Sequence, residues 1–307
     1  MGRYVVRRLL LTIPVLIGAS FLIYALVFLL PGDPIRALFG DRPPPPAVLA
    51  ELNDRYHLND NLFVQYGYYV NDLLHGDFGT DFQGRPVSQY VSERLPVTAK
   101  LTLVAIVFEF VIGLVAGILA GIRRGSFLDN MVLVTTTILI SIPIFVLGFL
   151  AQYTLGLQLE WFPISGITDG YQSYLLPGFV LGSVSLAYVA RLTRTSLAEN
   201  LRNDYVRTAK AKGLSPTVII GKHTLRNSMI PVITFVGADI GSLMGGAILT
   251  ETVFNIPGLG LAVFEGVRAQ EGTLVVGIAT LLVVFYIFAN LVVDVLYAAL
   301  DPRIRYD

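Results

Sequence analysis

Along most of this chain apolar residues gather in long uninterrupted runs, and strand-like alternation is scarce. Windows of about 20 apolar residues, the length a helix needs to cross a bilayer core, fall at about 9–30, 99–122, 131–156, 175–195, 229–250 and 274–298. Six spans are expected. They must be helical, because open strands would leave backbone groups unpaired in hydrocarbon. Pro143 sits in the middle of the third run and predicts a kink or hinge there. The first run follows MGRYVVRR, which has the charge of a signal peptide, but it is too long for one and lacks a small-residue cleavage site. It is expected to stay as a spanning helix. The fold class read from the pattern is therefore an all-α, polytopic membrane protein.

Two polar stretches interrupt the runs. The first, about 31–98, carries the Pro43–Pro46 run and two amphipathic pieces, Ala47–Tyr56 and Asn61–Leu74. Asp60 is the expected cap of the second piece. Leu58, Leu62, Phe63, Tyr66, Leu73 and Leu74 offer a core, which predicts a small helical insertion after the first span. The second stretch, Asn203–Asn227, reads as two short helices joined at a turn. Asp204 is placed to cap the first, Gly213 sits where a left-handed residue is needed, and Ser215-Pro216 is an N-cap followed by proline at the first helical position. Tyr205, Thr208, Ala209 and Lys212 recur at helical spacing, a face suited to shallow insertion into another protein's groove. An amphipathic helix held on anionic lipid by its basic residues is the alternative. The chain thus divides into 1–30, the insertion 31–98, a core 99–300 containing the 203–227 loop, and a tail 301–307.

Composition agrees with the pattern: 54% of the 307 residues are hydrophobic and 14% charged, with mean hydropathy +0.67. A net charge of zero points to no nucleic-acid partner, and the absence of cysteine removes disulfides, thiolate metal sites and a cysteine nucleophile. The distribution of Lys and Arg is more informative than their sum. Arg3, Arg7, Arg8, Arg123, Arg124, Arg191, Arg194, Arg202, Arg207, Lys210, Lys212, Lys222, Arg226, Arg303 and Arg305 fall on one side of the spans. The opposite short loops hold only Arg268, with Lys100 at an outer span edge. The positive-inside rule places both termini and the 203–227 loop in the cytoplasm.

Within the spans, Gly113, Gly117 and Gly121, and again Gly237, Gly241 and Gly245, recur every fourth residue and predict faces of close helix approach. Glu109 lies on the first stripe and is expected to make an interhelical contact. Asp239 lies opposite the second stripe, with Ser242 one turn on. A carboxylate is costly in lipid, so Asp239 and Ser242 are candidates to line a water-filled path. Asp294, one turn after Asn290, suggests an interface. Catalytic motifs are missing from the sequence: Gly221-Lys222 has Pro216 and His223 where a phosphate loop needs glycine and a hydroxyl, and neither H-E-x-x-H nor G-x-S-x-G occurs.

The 203–227 loop resembles the EAA loop of the permease subunits of ABC importers. Ala209, Gly213 and Leu225 match its second alanine, its glycine and its leucine, while Arg207, Thr208, His223 and Arg226 stand where the pattern has Glu, Ala, an aliphatic residue and Pro. YVRTAKAKGL followed by HTLRNSMIP is similar to the variant in B subunits of dipeptide and oligopeptide permeases. LLPGDP, HGDFGTDF, ERLPVTAKLT and YAALDPRIR extend that resemblance over nearly the whole chain. It implies the type I importer permease fold in a prokaryotic plasma (inner) membrane, ATP-driven import of small peptides by alternating access, and no catalysis by this chain. The implied partners are a second homologous permease, two ATPase subunits (or one fused ATPase) carrying ATP and magnesium, an external solute-binding protein and membrane lipid. Coupling to the ATPases is implied for Asp204, Tyr205, Arg207, Thr208, Ala209, Lys212, Gly213 and Leu214. Importers of nickel, glutathione or haem share this branch, and a stand-alone channel, a secondary transporter or a receptor-like protein stays open on the spans alone.

Overall fold

The computed structural model describes residues 2–29 and 60–300, with side chains over 7–29 and 60–293. The proline run, Ala47–Tyr56, Leu58, the Asp294 side chain and the 301–307 tail lie outside the described residues. In order, the helices are α1 (Gly2–Phe28), α2 (Leu62–Leu74), α3 (Val87–Ile122), α4 (Phe127–Ser141), α5 (Ile144–Gln158), α6 (Gln172–Asn200), α7 (Asp204–Ala211), α8 (Pro216–Phe254), α9 (Leu259–Ala269) and α10 (Gly272–Leu300). Five of them, α1, α3, α6, α8 and α10, are long and apolar enough to cross a membrane. The sixth expected run is the pair α4 and α5, bent by 105° at Ile142-Pro143. Pro143 has no N–H to continue the ladder, and Ile142 before it takes an extended conformation, so the run breaks instead of kinking gently.

The chain forms two compact units, one made of residues up to Thr98 with Pro257–Phe288, the other of Ala99–Ile256 with the chain from Ala289. In the first, α2 packs on α1 among the described residues. Phe63 and Leu74 are exposed, and the helix lays Phe63, Tyr66 and Tyr69 against Phe21 and Tyr24 of α1, with ring centroids 5.1 to 5.8 Å apart. The cap of α2 is Asn61, whose side chain accepts from Phe63 N at 3.0 Å, one residue beyond the expected Asp60. The turn after α2 closes on buried Asp81, which accepts from Gln83 N, Arg85 N and the Tyr90 hydroxyl at 2.8 to 2.9 Å. Leu259 N, an orphan donor at the start of α9, is satisfied by the buried Thr98 hydroxyl at 2.8 Å.

The second unit is organised around α6, whose buried residues run through most of its length. Small residues on both α3 and α6 bring the two backbones together. A Cβ at Gly113 or Gly117 would stand 2.9 or 2.6 Å from the Leu186 or Ala190 carbonyl, and at Gly121 3.1 Å from that of Arg194. Gly178 and Gly182 on α6 meet Val104 and Ala105 of α3 in the same way. Spans lack a hydrophobic driving force between one another, so such close packing is the main source of their cohesion. The other stripe behaves differently: Gly237 meets Val293, Gly241 is buried, and Gly245 has nothing within 4 Å. Among the described residues Gly245 adds nothing to that packing face. At one end of α6, Arg194 pairs with the buried Asp129 of α4, its Nη2 2.8 Å from Oδ2, while Gly125 N also donates to that carboxylate at 2.7 Å.

These contacts rank the glycines. Gly117→Ala, which sets a Cβ 2.6 Å from a carbonyl oxygen, is expected to cost about 1–3 kcal/mol of stability. Gly245→Ala, with open space around it, is expected to leave stability unchanged. Thermal unfolding of the purified chain in detergent separates the two, and equal midpoints would contradict the packing described.

Candidate functional site

Between α6 and α8 the chain folds into a hairpin. Asn203 takes the extended conformation before α7 but makes no side-chain cap, and Asp204 is the first helical residue, so the helix begins without the carboxylate cap expected of Asp204. Asp204 instead lies 3.4 Å from Arg207, both nearly fully exposed, where such a pair contributes little. Gly213 closes the helix at φ +77, with Gly213 N donating to Lys210 O at 2.9 Å and Leu214 N to Ala209 O at 3.3 Å. Positive φ favours glycine, and these two bonds satisfy carbonyls the helix end would leave open. Ser215 and Pro216 then start α8, Ser215 in extended conformation without a side-chain cap bond.

The second short helix is not separate. Pro216 opens a continuous 39-residue helix that runs on as a span to Phe254. Its first turns include a π-helical stretch, Ile219–Thr224, in which the Thr224 hydroxyl donates to Ile219 O at 3.0 Å. Ser228 ties the same region to Thr224 O and, at 3.4 Å, to Ser196 O of α6.

The hairpin has its own core. Val206, Ala209 and Ile219 are buried against one another, with Tyr205 packed alongside and its hydroxyl donating to Asn200 at 3.1 Å. Tyr205, Thr208, Ala209 and Lys212 therefore do not form one exposed face. Helical spacing alone could not show that α8 claims Tyr205 and Ala209. What faces outward is Arg207, Thr208, Lys210, Ala211, Lys212, Gly213 and Leu214. Four exposed cations, Arg202, Arg207, Lys210 and Lys212, make this surface basic.

The spans hold the other candidates. Asp239 is half-buried, with the Ser185 hydroxyl of α6 and Ser242 of its own helix directed at it, and among the described residues its Oδ2 has no hydrogen-bond partner. Ser242 itself is exposed. Glu109 on α3 is fully buried, and among the described residues neither carboxylate oxygen has a hydrogen-bond partner to satisfy the interhelical contact expected of it. It interacts electrostatically with Asp239. The structure thus sets two carboxylates and two serines from α3, α6 and α8 in one locality, without a balancing cation from the described residues. Ser185 escaped the sequence reading because a serine in an apolar run carries no signal of what it faces. Gly178 and Gly182 left one, a four-residue spacing. Among the described residues no three His, Asp or Glu side chains stand together as a metal site would require.

Comparison with known proteins covers the chain from end to end. Residues 113–306 match the profile of the binding-protein-dependent transport system inner membrane component, and residues 1–102 match that of its N-terminal portion. The chain is 37% identical to the dipeptide transport system permease protein DppB of Alkalihalophilus pseudofirmus, over 99% of both chains. It is 40% identical to the glutathione transport system permease protein GsiC of Escherichia coli strain K12, over all of both. Among solved structures, an inward-facing form of the MetNI methionine ABC transporter superposes with TM-score 0.58 at 19% identity, over 69% of this chain and 97% of that one.

The hairpin core makes a local prediction. Ala209→Glu buries a carboxylate against Val206 and Ile219 and is expected to expose the 203–215 backbone to protease, raising its cleavage rate at least about tenfold, since an unpaired buried charge costs several kcal/mol. Ala211→Glu, two residues on and exposed, is expected to cut at the wild-type rate. Limited proteolysis of the purified chain checks both.

Proposed function

The chain belongs to the inner membrane components of binding-protein-dependent transport systems, the permeases of ABC importers with the type I fold, and on that premise we propose that it carries small peptides across a prokaryotic plasma membrane as one half of a paired permease. In this reading both termini and the hairpin face the cytoplasm, as the Lys and Arg distribution favours. ATPase subunits carry the nucleotide and magnesium, a solute-binding protein delivers from outside, and lipid surrounds the spans. The relatives' names speak for peptides: one is a dipeptide permease, and glutathione is itself a small peptide.

The observation that carries the mechanism is the hairpin. Its outer face, Arg207, Thr208, Lys212, Gly213 and Leu214, is the docking surface for an ATPase subunit. Tyr205 and Ala209 act from behind it by fixing α7 against α8, and exposed Asp204 stands at the helix start beside Arg207. When ATP draws the two ATPases together, α7 moves with its ATPase. Because α8 begins at Pro216 and continues unbroken through the membrane, displacement of the hairpin is displacement of a span. ATP shifts the permease between its states only to the extent that the docked hairpin binds its ATPase better in one of them.

Asp239 and Ser242 line the solute's path on α8, the same helix the hairpin moves. Ser185 supports Asp239 from α6. A peptide offers an ammonium group, for which an unneutralised carboxylate is a fitting transient partner.

Two outcomes test these assignments. Leu214→Asp, at the exposed end of the hairpin, is expected to leave the chain folded but to lower recovery of co-purifying ATPase, and uptake of radiolabelled dipeptide in proteoliposomes, by about tenfold or more, as a lost docking anchor does. Retained ATPase and uptake would contradict the docking surface. Asp239→Asn is expected to keep the ATPase bound and to lower dipeptide uptake several-fold. Unchanged uptake would remove Asp239 from the path.

A further inference from the structure

The first unit contains a cavity that the transport reading does not use. Its volume is about 240 Å³, and it lies among α1, α2, the turn at Asp77–Thr80 and the first turns of α10. Five aromatic residues line it: Tyr24 and Phe28 of α1, Tyr68 and Tyr69 of α2, and Phe78. Tyr24 stands 4.5 Å from Phe28 and 5.3 Å from Tyr69 between ring centroids. Burial pushes the Tyr69 phenol up to about 12, so this ring presents a neutral face at any physiological pH.

The polar lining is one-signed. Asp72 and Asp77 both line the cavity and both are exposed, while no Lys or Arg among the described residues does. Asp77 is held in place by accepting from Gly79 N at 2.8 Å. Gln65, also in the wall, is fixed at both ends, its Nε2 donating to Asp60 O at 2.8 Å and its Oε1 accepting from the Tyr24 hydroxyl at 3.4 Å. Electron-rich ring faces beside carboxylates are the chemistry that attracts an organic cation and repels anions. The volume suits a headgroup or one end of a small molecule, being below that of ordinary whole-ligand sites.

We propose that this cavity binds an organic ammonium group, with its charge met by Asp72 and Asp77 and its body held against the rings of Tyr24 and Tyr69. Two sources carry that group: the amino terminus of a free peptide and the headgroup of phosphatidylethanolamine.

The test uses the full-length chain in nanodiscs of phosphatidylglycerol, dialysed to equilibrium against radiolabelled dialanine, with ethanolamine as competitor. Saturable binding displaced by ethanolamine is expected, and N-acetyldialanine, which keeps the body and loses the charge, is expected not to compete. The D72N/D77N double variant is expected to bind about tenfold more weakly or worse, and Tyr69→Leu to weaken binding while Tyr69→Phe retains it. Nanodiscs of phosphatidylethanolamine separate the sources: loss of dialanine binding there identifies the lipid headgroup as occupant, and its persistence identifies the free amine. The proposal is overturned if wild type binds no dialanine in phosphatidylglycerol, if N-acetyldialanine competes equally, or if a folded D72N/D77N variant binds as wild type does. The acetylated probe decides the matter without any variant that has to fold.

Discussion

Everything proposed for the loop between α6 and α8 depends on three side chains meeting at the hairpin: Val206, Ala209 and Ile219. An eight-residue helix such as α7 is far below the length at which helices stand alone, and its nucleation alone costs about 4 kcal/mol. Burying a Val and an Ile returns about 1.5–3 kcal/mol each, enough to offset that cost. The hairpin is thus an ordered element before any partner arrives, and its basic outer face comes preformed. Because the third member of the contact already belongs to the helix that crosses the membrane, the same small core that orders α7 also joins it mechanically to α8.

The spans show a complementary division. Where α3 meets α6, glycines on both helices let backbone approach backbone, which makes a stiff pair suited to moving as one body. Where α8 meets the same pair, Glu109 and Asp239 are left without full hydrogen bonding or a neutralising cation from the described residues. A protein does not retain such costly groups for packing, since apolar residues would serve better. Close packing and unsatisfied carboxylates sit side by side; in the proposed mechanism the first supplies a frame and the second a place for solute to pass.

Much of this was legible in the residues. Run lengths located the helices, Gly113, Gly117 and Gly121 announced a close contact, and Gly213 announced its positive φ. Three things were not. The spacing of Tyr205, Thr208, Ala209 and Lys212 fixed a helix face but not which neighbour would claim it, because that depends on where α8 passes. Pro143 signalled a bend but not its 105° extent, which comes with the extended conformation of Ile142. Asp239 could be set opposite its glycines by angle, yet its serine neighbour at position 185 comes from a helix more than fifty residues away in sequence. Local chemistry sets caps, breaks and periods; partners across the fold stay hidden until the helices are assembled.

The central claim is that the hairpin's outer face touches an ATPase and not lipid. A photoreactive benzoylphenylalanine in place of Leu214, in the assembled importer within its membrane, reads this directly. Illumination is expected to give one covalent product at the summed mass of this chain and an ATP-binding subunit, with a yield that changes when ATP is added. A product linking Leu214's replacement only to lipid, or the same yield in every nucleotide state, would contradict the proposed coupling.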